Sequence, residues 1–242
     1  MARTRADSRR WTQQGTKLVA DALAELDEEA FSAPTGLPGW TRAHLLAHLA
    51  ANAEAVGNLV HWAATGERTP MYSSPDQRNA DIEAGTRRSG RDLAEWFAGS
   101  AARLDAAMDD LTEPQWEAEV VTAQGRTVPA SETPWMRARE VMVHAVDLGA
   151  GVAFDDLPTD FLAALCDDIA GKRSAAAGTP AAGPALSVEA PDAGARWDIA
   201  GTGDPVLVTG ALADVSSYLS GRGAEGVTAS DRPDVPALPP WL

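Results

Sequence analysis

His48 in LLAHLAANAE, and Glu140 with His144 in RAREVMVHAVDLG, are potential metal ligands on two widely separated helical segments. Four positions separate Glu140 from His144, so on a helix both side chains lie on one face, one turn apart, within reach of a single cation. With His48 supplied by a second helix, the set becomes two imidazoles and one carboxylate. Three protein ligands leave a coordination position open, as in catalytic rather than structural zinc sites.

The setting decides how far this goes. Two polar residues four apart occur by chance in many helices, and the ordinary reading is a hydrogen-bonded histidine beside a solvated glutamate. Between Glu140 and His144, however, stand Val141, Met142 and Val143, and a charged group in an apolar helix needs a partner. His44 and His48 are also four apart, and the spacing alone does not say which faces inward. Leu45, Leu49 and Ala51 around His48 favour it, whereas His44 lies nearer the helix start. His61 reads as a polar residue near a helix end. Asp147, three residues after His144, reads as an acceptor behind that histidine or as an exposed acid in the last turn, and the exposed reading is preferred. Gly221-Arg222-Gly223 reads as a helix C-cap with its turn, or as an arginine held in a tight loop to grip an anion.

The elements that must position these residues follow from apolar spacing. Trp11, Leu18, Val19, Leu23 and Leu26 predict a helix from Asp7 to about Glu29, stopped by Pro34 to Pro38. Thr41 is a plausible N-cap and Gly66 a stop for a second helix, which carries His48. A loop with Pro70 and Pro75 follows, and Leu93 to Leu111 predict a third helix ending before Pro114. After a loop at TAQGRTVPA, Ser131 can cap a fourth helix running to Gly149, with Glu132 in its first turn and Pro134 near its start. Four such helices suggest a bundle whose interior can hold a metal.

Composition changes after about Phe154. A helix is expected from Pro158 to Ser174, then an Ala/Gly/Pro loop or linker, then the short β-rich runs ALSVEA, ARWDIA and PVLVTG, and a closing helix in ALADVSSYLSG. This predicts a second, smaller α+β domain. The proline-rich end VPALPPWL reads as a packed tail.

The 242 residues, 45% apolar, can build a core without disulfides. The lone Cys166 reads as a small buried apolar residue, so chemistry that needs a thiol takes it from a cosubstrate. A net charge of −15 with no Lys/Arg run argues against nucleic acid. The N-terminus lacks a signal-peptide core and no ~18-residue apolar run occurs, so no membrane role and a cytoplasmic location are expected. The sequence contains no H-E-x-x-H, CxxC pair, G-x-S-x-G or Walker-type loop.

Three runs carry a resemblance: GWTRAHLLAHLAANAEAVGNLVHWAATGERTPMY, TAQGRTVPASETPWMRAREVMVHAVDLGA and the shorter SGRGAEGVTAS. Together they resemble the mycothiol-dependent maleylpyruvate isomerase family, most strongly between about Leu37 and Leu157. The resemblance implies an N-terminal DinB-like four-helix bundle over residues 1–153 and a small C-terminal α+β domain over residues 154–242. It implies zinc ligation by His48, Glu140 and His144, a catalytic arginine at Arg222, and a substrate or cosubstrate contact at Arg78. Arg126 is a further candidate for holding a substrate carboxylate, with an ordinary surface role as its alternative.

The implied activity is the cis–trans isomerisation of maleylpyruvate to fumarylpyruvate in gentisate breakdown, with Zn²⁺ and the thiol of mycothiol as cofactors. Partners are then a small-molecule dicarboxylate and mycothiol, and a monomer is the favoured state. Two other readings stand beside it: a mycothiol S-transferase on the same scaffold, which would consume its thiol, and a non-catalytic metal or small-ligand binding module. Imidazole and carboxylate ligands also suit nickel, cobalt or iron.

Overall fold

The computed structural model describes residues 3–239 and 241. The chain divides into two compact units, Arg3–Val152 and Ala153–Leu242.

In the N-terminal unit, helices α1 (Arg5–Ala24), α2 (Arg42–Thr65), α3 (Pro75–Gly85), α4 (Gly90–Asp109) and α5 (Glu113–Trp116) precede a hairpin, β1 (Glu119–Val121) with β2 (Thr127–Pro129), and then α6 (Thr133–Asp147). Among the four long helices, α1 packs on α6 and α4, and α2 packs on α4 and α6, which closes a four-helix bundle. The core takes Val19 and Leu23 from α1, Leu45, Leu46 and Leu49 from α2, Leu93 and Phe97 from α4, and Val141 and Ala145 from α6. Local chemistry fixes the ends. Thr4 and Asp7 form a reciprocal cap on α1, Thr41 caps α2, and Gly66, at φ 77°, turns the chain out of α2. Gly15 lets α1 approach α6 closely, since a Cβ there would lie 2.7 Å from Val141 Cγ2 and 3.0 Å from the Met142 backbone nitrogen.

Several expected boundaries shift. Helix one spans Arg5–Ala24 and is followed by a 3-10 turn at Glu29–Ser32. The expected loop around Pro75 contains α3, because the Ser74 hydroxyl accepts from the Gln77 amide and Pro75 occupies the first turn, where its missing N–H costs nothing. TAQGRTVPA forms the turn and second strand of the β1–β2 hairpin. A 3-10 turn at Ala130–Glu132 leads into α6, so Ser131 is not its cap.

The C-terminal unit has α7 (Thr159–Ala175), β3 (Pro184–Ala190), β4 (Ala195–Ile199), β5 (Thr202–Thr209), α8 (Leu212–Ser220) and β6 (Thr228–Ala229). The strand order is β4-β3-β5-β6, with β3 and β5 parallel and the other pairs antiparallel. Helix α7 packs against α8 and β4, and α8 against β3, burying Phe161, Leu165, Ile169, Val188, Val208 and Leu219. The Ala/Gly/Pro stretch is a loop inside this unit, between α7 and β3. The tail is held where the Tyr218 hydroxyl donates to the Pro236 carbonyl (2.7 Å) and Arg173 Nη2 to that of Pro239 (3.0 Å), while Pro240 and Leu242 lie outside the described residues. Cys166 is buried, its Sγ 3.3 Å from Ser216 Oγ, and burial pushes its thiol up to about 12, which leaves it protonated and inert near neutral pH.

Candidate metal centre

The bundle brings three ligand-type side chains together. One ligand atom from each of His48, Glu140 and His144 lies within 4.8 Å of the other two. His48 Nε2 is 2.9 Å, and His144 Nε2 3.3 Å, from the same carboxylate oxygen, Glu140 Oε2. Two ligands on one tetrahedral zinc, at bonds of ~2.0–2.1 Å, stand ~3.4 Å apart, so both the donor set and its spacing fit a small divalent cation. Both histidines are buried and Glu140 is half-buried.

Each ligand is oriented by what lies behind it. His144 Nδ1 donates to Asp147 Oδ2 at 2.7 Å, which orients the ring with Nε2 toward Glu140. Asp147 is 3% exposed, which corrects the preferred reading of it as a solvent-facing acid. The reason is tertiary. The 33–41 segment covers the end of α6, with the Gly36 amide donating to the Asp147 carbonyl (2.9 Å) and Arg42 donating to the carbonyls of Leu148 (2.9 Å) and Gly149 (2.6 Å). Asp147→Asn is accordingly expected to lower metal affinity by ~10–100-fold, measured by competition with a chelating dye. Unchanged affinity would mean that the hydrogen bond to His144 does not tune the site.

His48 is packed edge-on against Trp40, ring centroids 5.4 Å apart, and against His144 at 5.2 Å. Its Nδ1 is 3.2 Å from Arg78 Nη2. His44 is spent elsewhere, its Nδ1 2.7 Å from Thr41 Oγ1 in the N-terminal cap of α2, which settles the choice left open by the spacing. His61 is exposed near the end of α2.

Electrostatics follow the geometry. Burial lowers the His48 pKa, against the pull of Glu140, so this imidazole is neutral at pH 7. Burial alone would raise Glu140, but the hydrogen bonds from His144 and His48 hold it well below the ordinary carboxylate value. For His144 burial works downward and is outweighed by Asp147 and Glu140, giving a net rise.

A polar chain continues from the ligands into the bundle. Arg137, one turn before Glu140 on α6, is fully buried, and its Nη1 donates to the Leu49 carbonyl (2.7 Å) and to Asn52 Oδ1 (2.8 Å). Burial lowers its pKa to about 10, still far above neutral, so a full positive charge sits in the core. Tyr72 has Arg78 over its ring at 5.8 Å, and its hydroxyl is raised by burial. Trp40, Asn52, Tyr72 and Arg137 escaped sequence reasoning. Only Arg137 left a usable signal, its spacing of three and seven from Glu140 and His144.

Comparison with known proteins gives the scaffold its relatives. The profile of the mycothiol maleylpyruvate isomerase N-terminal domain matches residues 12–149, more than half of the chain. The chain belongs to this isomerase family. Two solved structures, a mycothiol-dependent maleylpyruvate isomerase and a histidine-to-alanine mutant of one, are each 43% identical to it, cover 98% of this chain and 97% of their own, and superpose with a TM-score of 0.91. The comparison with curated proteins gives no match.

Within this isomerase-family fold the remaining candidates fall in different places. Arg78 lies on α3 and joins the cluster through His48. Arg126 is exposed in the β1–β2 turn, its amide donating to Thr122 Oγ1 at 3.2 Å, and among the described residues no hydrogen bond or ion pair links it to the three ligands. Arg222 belongs to the C-terminal unit. It follows the α8 cap Gly221 (φ 76°), its amide donating to the Ser217 carbonyl (2.9 Å) and its Nη1 to that of Ser220 (2.7 Å). No helix among the described residues is long and apolar enough to cross a membrane.

Proposed function

We propose that this chain is a mycothiol-dependent cis–trans isomerase converting maleylpyruvate to fumarylpyruvate, with zinc held by His48, Glu140 and His144. The observation that carries the reading is the cluster itself, two imidazoles converging on one carboxylate oxygen, in a chain 43% identical over nearly its full length to isomerases of that name. A reduced thiol cosubstrate fits a cytoplasmic location, where thiols are kept reduced.

Rotation about a carbon–carbon double bond requires its π bond to be opened, and conjugate addition of a thiolate followed by elimination does this while regenerating the thiol. A bound cation would supply the positive charge that favours ionisation of that thiol. The protein's own thiol is buried and protonated, so the nucleophile comes from outside the chain. Glu140 gives the donor set its single negative charge, and Asp147 keeps His144 aimed. His48 has one proton to place between two ring nitrogens. With Nε2 given to a cation, the proton would reside on Nδ1, which would then not accept from Arg78. Arg78 would be released to hold a carboxylate of the substrate, which a chain of net charge −15 repels at long range. Arg222, from the family resemblance, stabilises the negative charge that develops on the substrate, and Arg126 is a lesser candidate for a carboxylate contact.

Two expected outcomes follow at this site. Metal loading should release protons and weaken as the pH falls, because below its raised pKa His144 carries a proton that the cation must displace. In the metal-free fold the same shift stabilises the protein below the unfolded value of 6.5 and is lost as the pH rises through the folded one. Calorimetry in buffers of different ionisation enthalpy reads the release directly, and pH-independent metal affinity would contradict it. Arg222→Ala should leave metal content intact while turnover drops by ~100-fold, and an unchanged rate removes Arg222 from the mechanism.

The reading as a whole is tested by following fumarylpyruvate formation with and without mycothiol. An isomerase makes product catalytically in thiol, an S-transferase consumes thiol in step with product, and a binding module makes none.

A further inference from the structure

A cleft of about 470 Å³ opens in the N-terminal unit between α2, the 71–73 segment, α3 and the start of α4. Its size falls within the ~300–1,000 Å³ of small-molecule sites. None of the three ligands lines it, yet it adjoins them. Ala51, on its wall, is one helical turn beyond His48, and Tyr72, also on its wall, lies under the Arg78 guanidinium that contacts His48.

Three of the polar side chains lining the cleft have acceptor capacity to spare. Glu54 Oε1 is held by Trp96 Nε1 (2.8 Å) and Arg103 Nη2 (3.1 Å), and Asp81 Oδ1 by Gln77 Nε2 (2.7 Å). Asn58 spends its Nδ2 on the carbonyls of Pro70 and Met71. Glu54 Oε2, Asp81 Oδ2 and Asn58 Oδ1 therefore stand without a partner among the described residues, on side chains already fixed in place. Arg103 on Glu54 and Arg88 in the wall balance the two carboxylates, so the cleft offers no surplus of positive charge to hold a dicarboxylate. It suits an uncharged ligand rich in hydroxyl donors, with Trp96 and Tyr72 supplying apolar wall.

Mycothiol has two chemically different ends, an acylated cysteine that carries the thiol and an uncharged glucosamine–inositol pair that carries the hydroxyls. We infer that the cleft holds the polyol end, with Glu54, Asn58 and Asp81 accepting from its hydroxyls, while Tyr72 and Arg78 form the border across which the thiol end reaches the metal ligands. The assignment rests on the mycothiol-dependent reading above. It separates the two reactants by charge, the neutral polyol in a cleft whose own charges balance and the dianionic substrate on the Arg78 side.

The test uses full-length, metal-loaded protein and N-acetylglucosaminyl-inositol, which has the polyol end but neither thiol nor charge. Calorimetry should show saturable binding, weakened at least about tenfold by Asp81→Ala, which removes an acceptor, and by Ala84→Trp, which fills the cleft from its exposed rim. Both variants should keep wild-type metal content and thermal stability and should raise KM for mycothiol while leaving KM for maleylpyruvate unchanged. No saturable binding by the wild type, or equal binding by both variants, overturns the assignment. Polyol binding that the variants lose, in a protein that forms no fumarylpyruvate, would sink the isomerase reading and leave the cleft as a polyol site. Thiol-dependent isomerisation with an unaltered mycothiol KM in both variants would do the reverse.

Discussion

Replacing Glu140 with Ala is expected to leave the protein folded but without stoichiometric metal, and to lower thiol-dependent turnover by more than ~100-fold, beyond the loss typical of a residue that only supports a ligand. Glu140 Oε2 is the point on which both histidines converge, at 2.9 and 3.3 Å, and its carboxylate is the sole negative charge of the donor set. Without it two imidazoles remain, one of them neutral because burial lowers its pKa. The residual pair lacks the anionic charge that offsets desolvation of a dication. Elemental analysis, circular dichroism and turnover should be measured on the same sample. Full zinc occupancy in the folded variant would remove Glu140 from the ligand set and with it the proposed site.

Gly15→Val should destabilise the protein by ~2 kcal/mol, a ~4–8 °C fall in Tm, and weaken metal binding as well. The first added atom would meet Val141 Cγ2 at 2.7 Å and the Met142 backbone at 3.0 Å, so α1 and α6 must separate. Val141 follows Glu140 directly, and displacement of α6 there moves two ligands relative to His48 on α2. Gly57 is the control. It is also a helical glycine, on α2, with open space where a Cβ would be, and Gly57→Ala should stabilise by ~0.5–1 kcal/mol through helix propensity alone. Equal effects of the two substitutions would mean that close helix packing does not hold the ligand-bearing elements in place.

The three-residue cluster is legible in the sequence because it is local twice over. Glu140 and His144 meet through the pitch of one helix, and the Thr41 cap and Gly66 stop of α2 delimit the segment that carries His48. Apolar spacing likewise predicts the four long helices, since burying one face of each is what holds a bundle together. Short elements were harder. Helix α3 has little apolar periodicity, and its start is written in Ser74-Pro75, a cap signal that the nearby Pro70 makes read as part of a loop. With α3 unread, the placement of Arg78 beside His48 had no structural support in the sequence.

The inventory is written in the residues alone, two imidazoles and a carboxylate on two helices, several arginines, and a cysteine unsuited to catalysis. Which histidine of α2 turns inward was decided by the fold, where His44 is occupied in capping Thr41 and His48 meets Glu140. The fold also decided that Asp147 lies buried behind His144 rather than in solvent, and that the charged Arg137 sits in the core facing Asn52. Residue spacing reports which side chains share a face of one helix, whereas burial and pairing depend on what another segment lays over that face. The 33–41 segment over α6 and the close approach that Gly15 permits are such contacts, and they join residues more than 100 positions apart.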